Sequence, residues 1–310
     1  ISKPAEELLA EHCNYRMWTE KTLIPRERLL EEIKEADGLV TTRHLIDAEL
    51  MSAAPNLKVV SNVSVGYNNF DLPEMNKRHV IGTHTPYVLN DTVADLIFAL
   101  MLAAARRIPE LDRLVKEGRW IKGADELYFG VDVHHTKLGI IGMGRIGETV
   151  ARRAKHGFDM DVQYYNRSRR ESAERELGVT YATLDELLET SDFVLMMTPL
   201  TAETEGMIGR EQFKKMKSSA IFVNASRGPT VDEAALTEAL QTGEIRAAGL
   251  DVFCEEPVPK DHPLLGLENV VTVPHIGSAV AKTRSDMAVL AVQNLLAVLH
   301  GEKPPYQVKV

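Results

Sequence analysis

Leu138-Gly139-Ile140-Ile141-Gly142-Met143-Gly144-Arg145-Ile146-Gly147 is the stretch that decides the fold. An apolar run of strand length leads into Gly-x-Gly-x-x-Gly, and Ile146, Val150 and Ala154 then recur at helical spacing. In such a βα turn Gly142 permits the tight bend, Gly144 lets backbone approach a pyrophosphate, and Gly147 lets helix pack on strand. The helix start, through Arg145 and Ile146, offers unpaired N–H groups and partial positive charge to phosphates. Glycines alone would mark only a turn. The strand before and the helix after make this a dinucleotide fingerprint.

Outward from that turn, the short apolar runs Leu138–Ile141, Met160–Tyr165, Phe193–Met197, Ala220–Val223, Ala247–Leu250 and Val270–Val273 alternate with helical patterns. This predicts an α/β fold: a doubly wound parallel sheet of Rossmann type with helices on both faces. Upstream, Gly38–Val40, Lys58–Val60 and Val80–Ile81 read as strands, and Pro25 opens a charged helix over Arg26–Ala36. Val93, Leu96, Ile97, Leu100, Met101 and Ala104 follow a cap at Asn90-Asp91, while Phe98, Leu102 and Ala105 make the opposite face apolar too. A helix apolar all round is buried on both sides, inside its domain or against another subunit, and a subunit contact is the expectation. The last helix spans about Ala279–His300, with Met287, Leu290, Ala291, Leu295 and Val298 on one face. The short segments Lys214–Lys217 and Glu171–Glu176 read as solvated faces.

With 310 residues the chain suits about two domains at roughly 150 residues each. Its net charge of −9 argues against nucleic acid or an anionic membrane as main partner, since both need a basic footprint. A small anionic substrate answers to local charge and stays open. No basic segment followed by an apolar core marks a signal peptide, and the run Leu96–Ala105 is far short of a membrane span's ~20 residues. Only Cys13 and Cys254 occur, without metal-ligand spacing, so a cytoplasmic location is expected and no metal. His134-His135 is adjacent rather than spaced for one metal face. The chain opens on Ile1 rather than Met, so a start segment is expected upstream.

The strand after the glycine turn bears on which dinucleotide binds. NAD sites place a carboxylate about 20 residues on to accept bonds from the ribose 2′-OH. Here Met160–Tyr165 ends in Asn166-Arg167-Ser168-Arg169-Arg170, where guanidiniums and a hydroxyl suit a 2′-phosphate. NADP(H) is therefore expected over NAD(H), against the plainer reading of a solvated helix start with incidental arginines. Three more residues matter as a set. Arg227 follows Asn224-Ala225-Ser226, Glu256 follows Asp251-Val252-Phe253-Cys254-Glu255, and His275 sits in Pro274-His275-Ile276-Gly277-Ser278. Each lies just past a strand's C-terminus, where open α/β sheets bind ligands. A histidine beside a carboxylate suits a general acid, and an arginine fork suits a substrate carboxylate or polarised carbonyl. Singly, each is also an ordinary loop residue, and spacing alone does not choose.

Gly142–Gly147, Ser226-Arg227-Gly228, Asp251-Val252-Phe253 with Glu256-Pro257, and Pro274–Ser278 together resemble the hallmarks of the D-isomer-specific 2-hydroxyacid dehydrogenases, in order along essentially the whole chain. Ser64–Asp71, His84-Thr85-Pro86, Asp132–His135 and Lys215–Phe222 resemble more narrowly that family's glyoxylate/hydroxypyruvate reductase B (2-ketogluconate reductase) branch. The resemblance implies a Rossmann-type cofactor domain, residues 91–277, inserted into a flavodoxin-like substrate domain formed by residues 1–90 and 278–310. It implies a homodimer joined through the cofactor domains and NADPH preference. It implies that Arg227 anchors a 2-oxo acid, that His275 donates the proton, and that Glu256 orients His275 and favours its charged form. Val65 and Gly66 are then backbone contacts to the substrate carboxylate. Thr92, Thr198, Pro199, Thr204, Ala225, Ser226, Asp251 and Gly277 are cofactor-lining positions by the same resemblance.

Two departures stand out. Relatives usually begin with a strand ahead of the first helix, whereas this chain starts at Ser2-Lys3-Pro4, so that strand is expected upstream of Ile1. Family members often carry Asp where Asn68 stands, which touches only local hydrogen bonding. Rival expectations are a phosphoglycerate, formate or phosphonate dehydrogenase of the same family, and a dinucleotide-sensing, corepressor-like binding protein.

Overall fold

The computed structural model describes residues 1–20 and 22–308. The chain divides into two compact units, Asn90–Gly277 and the combination of Ile1–Leu89 with Ser278–Val310.

The first unit holds a three-stranded parallel sheet in the order β1 (Gly38–Thr41), β2 (Val59–Asn62), β3 (Ile81–Thr83). On one face, α1 (Lys3–His12) and the closing helix α12 (Ala281–Leu299) bury Ala5, Ala288, Val292 and Leu295 against Val59. On the other, α2 (Arg26–Glu32), α3 (Ala48–Ala53) and α4 (Leu72–Lys77) enclose Leu29, Ile46, Leu50, Met51, Val60 and Met75. Asp47 caps α3 by accepting from the Leu50 N–H at 3.0 Å, and Asp71 caps α4 through the Glu74 N–H at 3.1 Å. α2 is shorter than the expected Arg26–Ala36. Pro25 is its extended N-cap, and the chain turns at Ile33–Ala36 to enter β1.

The second unit is a seven-stranded, all-parallel sheet. Its strands are β4 (Lys137–Ile141), β5 (Asp161–Tyr165), β6 (Thr180–Tyr181), β7 (Phe193–Met196), β8 (Ile221–Asn224), β9 (Ala247–Leu250) and β10 (Val270–Thr272). Their order is β10-β9-β8-β7-β4-β5-β6. β7, β8 and β9 are buried along their whole length, as strands covered on both faces must be. The two-residue edge strand β6 carries too short an apolar run to stand out in sequence. The helices are α5 (Asn90–Ala105), α6 (Ile108–Lys116), α7 (Arg145–Phe158), α8 (Glu171–Leu177), α9 (Leu184–Thr190), α10 (Arg210–Lys215) and α11 (Glu233–Thr242).

Three sequence expectations change. α5 begins at Asn90 instead of being capped by it, and residues of both its apolar faces find partners within its own unit. Leu100 packs on β9 at Gly249, and Phe98 stacks on Phe158 of α7 at 4.9 Å between ring centres. The double apolar face therefore reflects in part a central helix, while Leu102 on the same side stays 37% exposed. α10 is longer than the solvated segment Lys214–Lys217 and buries Phe213 completely, while Lys217 lies past its end and pairs with Asp192. α8 likewise buries Ala173 and turns Glu174 inward, so Glu171–Glu176 is not a uniformly solvated face.

Candidate active site

In the second unit the strand order runs away from β4 in both directions, so a topological switch point lies between β4 and β7. Ligands of open parallel sheets bind at the carboxyl ends of strands beside such a point. The glycine turn stands there. Gly142 has φ +106°, and a Cβ on it would sit 2.6 Å from the Met197 carbonyl carbon, so only glycine fits. At Gly144, by contrast, a Cβ would meet nothing within 4 Å, which leaves the backbone open to a ligand. α7 starts at this point without a side-chain cap, so its first N–H groups face outward for a diphosphate. These features fit a dinucleotide. Arg145 and Ile146 open α7, and Gly147 is buried where the helix crosses the strand.

At the end of β5 the expected 2′-phosphate segment has more internal structure than the sequence suggests. The Asn166 side chain accepts from the Met143 N–H at 2.7 Å and donates to the Met143 carbonyl at 3.2 Å, latching the glycine turn to β5. Arg169 makes a two-point pair with Glu174 (2.6 and 3.1 Å), and its guanidinium lies 5.5 Å from the Tyr181 ring centre. Arg169, with the Tyr164 hydroxyl, holds the Glu174 carboxyl below its ordinary value. Arg170 pairs with Glu148 at 2.8 Å. Arg167 and Ser168 stand exposed beside them.

After β8, Asn224 organises the turn that carries Arg227. Its Oδ1 accepts from the Ser226 N–H and hydroxyl, and its Nδ2 donates to the Arg227 carbonyl at 3.1 Å. Asn224 is buried, and the sequence reading passed over its role. An amide side chain in the last strand position, directly before Ala-Ser-Arg-Gly, was the available signal. Arg227 itself is half-buried, and one guanidinium nitrogen donates to the Ser226 carbonyl at 2.6 Å. Ala225 and Ser226 form the same turn.

After β9 and β10 the remaining residues meet. Asp251 accepts from the Ile276 N–H at 2.6 Å and the Gly277 N–H at 3.0 Å, tying the β9 turn to the β10 turn. Burial pushes its carboxyl above the ordinary value, and those two N–H groups and the nearby His275 do not offset this. His275 Nδ1 lies 2.7 Å from Glu256 Oε2, and Glu256 Oε1 accepts from the Phe253 N–H at 3.3 Å. The two side chains retain 34% and 27% exposure, enough to meet a ligand. His275 adopts φ +51°, a left-handed conformation uncommon for a non-glycine residue, and such strain clusters at functional sites. With Nδ1 directed at Glu256, Nε2 is the ring nitrogen that Glu256 does not engage.

The structure thus gathers Arg227, Asp251, Glu256, His275, Gly277, the glycine turn and Asn166–Arg169 along one edge of one sheet. Thr198 and Pro199 follow β7 on that edge, and Thr204 braces their loop by donating to the Pro199 carbonyl at 2.6 Å. Thr92 lies in the first turn of α5. Val65 and Gly66 belong to the other unit, in the loop after β2. Among the described residues no group of three or more His, Cys, Asp or Glu is arranged to hold a metal ion, and no helix is long and apolar enough to cross a membrane.

Residues 98–277 match the family described as D-isomer specific 2-hydroxyacid dehydrogenase, NAD binding domain. The glyoxylate/hydroxypyruvate reductase B of Yersinia pestis (strain Pestoides F) is 50% identical over 301 residues, 97% of this chain and 92% of that protein. Among solved structures, a protein from Thermus thermophilus superposes with a TM-score of 0.89 at 42% identity, covering 99% of this chain and 96% of that one. The NADPH-dependent glyoxylate/hydroxypyruvate reductase of Sinorhizobium meliloti, in complex with NADP and malonate, gives a TM-score of 0.85 at 33% identity, over 99% and 94% of the two chains. The chain belongs to the D-isomer-specific 2-hydroxyacid dehydrogenase family. It is an oxidoreductase that uses a nicotinamide dinucleotide on CH–OH groups and reduces 2-oxo acids.

Proposed function

We propose that the protein reduces short 2-oxo acids, namely glyoxylate, hydroxypyruvate and the longer 2-ketogluconate, to D-2-hydroxy acids with NADPH in preference to NADH. The observation that carries this reading is the His275–Glu256 pair at 2.7 Å, set on the same sheet edge as Arg227 and the glycine turn. When bound, the dinucleotide supplies the hydride. The chain's own residues do the rest. Arg227 holds the substrate carboxylate and draws charge onto the carbonyl oxygen, and His275 gives that oxygen a proton from Nε2. Glu256 orients the imidazole and opposes its charge, and Asp251 fixes the backbone on either side of Ile276. The unit Asn90–Gly277 is on this reading the cofactor domain, and the other unit contributes substrate contacts.

Those contacts are the amides of Val65 and Gly66. The Ser64 carbonyl accepts from the Thr85 N–H, and the Val65 carbonyl lies 2.8 Å from His84 Nδ1. A trans peptide points its N–H opposite to its C=O, so both bonds aim the following amides away from His84 and Thr85, as a carboxylate cradle needs. For NADPH, Arg167, Ser168 and Arg169 supply the 2′-phosphate contacts, while Asn166 holds the turn.

A homodimer in the cytoplasm completes the proposal. The dimer joins through the cofactor domains, at α5, where Leu102 is 37% exposed, and at the excursion that follows it, where Ile108, Val115, Trp120, Ile121, Leu127 and Phe129 are each more than half exposed. The direct test is NADPH consumption, followed by absorbance, with glyoxylate, hydroxypyruvate and 2-ketogluconate, repeated with NADH. Turnover of at least one acid and a preference for NADPH is the expected result. Tight dinucleotide binding without turnover of any would overturn it in favour of a sensor.

A further inference from the structure

The loop that carries Glu256 is gripped from outside the site. On one side it packs against the residue next to Arg227: a Cβ on Gly228 would lie 1.9 Å from the Phe253 carbonyl carbon. On the other side stands Glu233, the first residue of α11. Its Oε1 accepts from the Cys254 N–H at 2.7 Å, and its Oε2 lies 3.3 Å from His262 Nε2. Glu233 and His262 are only 15% and 18% exposed, so water competes weakly for the pair they make with each other. His262 Nδ1 accepts from the Leu264 N–H at 3.4 Å, which assigns the ring proton to Nε2 and makes it a donor to Glu233.

The remaining capacity of this corner is accounted for. Asp232 caps α11 with the Ala234 and Ala235 N–H groups, so Glu233 is not needed as the cap. The Cys254 thiol is pushed up to about 11 by burial and by the Glu233 and Asp232 charges, so it stays a thiol. What Glu233 holds is the Phe253–Cys254 peptide. The adjoining Val252–Phe253 peptide, joined to it at the Phe253 Cα, presents the Phe253 N–H to Glu256 Oε1, and Glu256 Oε2 meets His275.

We propose that Glu233 is a positioning residue for the proton donor: it fixes the Phe253–Cys254 peptide and, through Phe253, the adjoining N–H that aims Glu256 at His275. The inference rests on the assignment of His275 as that donor. An acceptor at position 233 is what the geometry requires; the negative charge is secondary. Glutamine keeps an acceptor for the Cys254 N–H but sets its NH2 against the His262 Nε2–H, whereas alanine leaves both donors unpaired and the loop held on one side only.

The test compares Glu233→Ala, Glu233→Gln and His275→Gln in the full chain. One readout is the far-downfield proton resonance of a carboxylate-bound His Nδ1–H, identified by its loss in His275→Gln. The other is steady-state kinetics with an accepted 2-oxo acid, alongside NADPH affinity by fluorescence. The expected result is a broadened or lost resonance and a kcat lower by up to about 100-fold in Glu233→Ala, since small misplacements of catalytic groups have effects of that size. KM and NADPH affinity should hold within about twofold, with both signals partly restored in Glu233→Gln, a pattern that general unfolding would not produce. A Glu233→Ala protein with the resonance and kcat of wild type overturns the inference, as does a glutamine variant as impaired as alanine. A wild type that reduces no 2-oxo acid would defeat the functional proposal, yet the resonance would still report on Glu233.

Discussion

Asp47 in the first unit and Asp251 in the second are both strand-end or helix-start carboxylates that accept backbone N–H bonds, yet they are displaced in opposite directions. For Asp47 burial raises the carboxyl, but the Leu50 N–H and the Arg26 guanidinium outweigh it and hold the group below its ordinary value. For Asp251 burial wins, because its partners are two N–H groups and a histidine rather than a guanidinium. The difference separates two uses of one side chain. Around α2, α3 and α4, carboxylates cap helices and pair with arginines, as in Asp47–Arg26 and Glu74–Arg78. Around the ends of β9 and β10, Asp251 and Glu256 hold backbone and an imidazole in fixed positions. The first use stabilises the fold, and the second fixes the backbone of the β10 turn and the imidazole beside it.

The largest effect that could break this contrast is at His275. His275→Ala should lower kcat by about 100- to 10,000-fold, the usual range for a general acid, with dinucleotide affinity and thermal midpoint near wild type. Kinetics, fluorescence titration and a melting curve on one preparation decide it. A variant that melts early but turns over normally would move His275 to the stabilising class. Next in size is cofactor choice. Arg167→Ala combined with Arg169→Ala should lower the NADPH-to-NADH ratio of kcat/KM by about 10- to 100-fold, the worth of one or two charge-assisted bonds. Because Arg169 is already paired with Glu174, the single Arg167→Ala should account for most of the change. An unaltered ratio in the double variant would assign the arginines to surface pairing alone.

Much of this was legible in the chain. The glycine turn, the apolar runs of the large sheet and the strand-end positions of Arg227, Glu256 and His275 are set by local pattern, because parallel strands buried on both faces leave continuous apolar stretches. What stayed hidden depends on contacts distant in sequence. That Leu100 meets β9 and Phe98 meets α7 is one such contact, since periodicity shows that a face is buried but not what covers it. Glu174 looked solvated because its partners, Arg169 and Tyr164, come from the turn and strand before it. Asn224 and Glu233 hold backbone groups, in the Ser226–Arg227 turn and at Cys254, and a backbone amide has no sequence signature; the partner of His262, Glu233, is distant in sequence.

The smallest and most discriminating test uses pH. Asp47, held below its ordinary value, contributes stability that is full above the unfolded aspartate value and is lost as pH falls through the folded one. Asp47→Ala should therefore destabilise the protein by about 1 kcal/mol at neutral pH, the usual worth of a helix cap, and the gap from wild type should close in acid. Asp251 has the opposite sign. Its raised carboxyl gives a contribution that is full below the unfolded aspartate value and declines as pH rises through the folded one. Asp251→Asn should then gain on wild type between acid and neutral pH in urea unfolding, while turnover falls because Asn keeps one acceptor for two N–H groups. Asp47→Ala should leave kcat unchanged. If the two variants shifted stability with pH in the same direction, the division between capping and site carboxylates would fail at the pair that defines it.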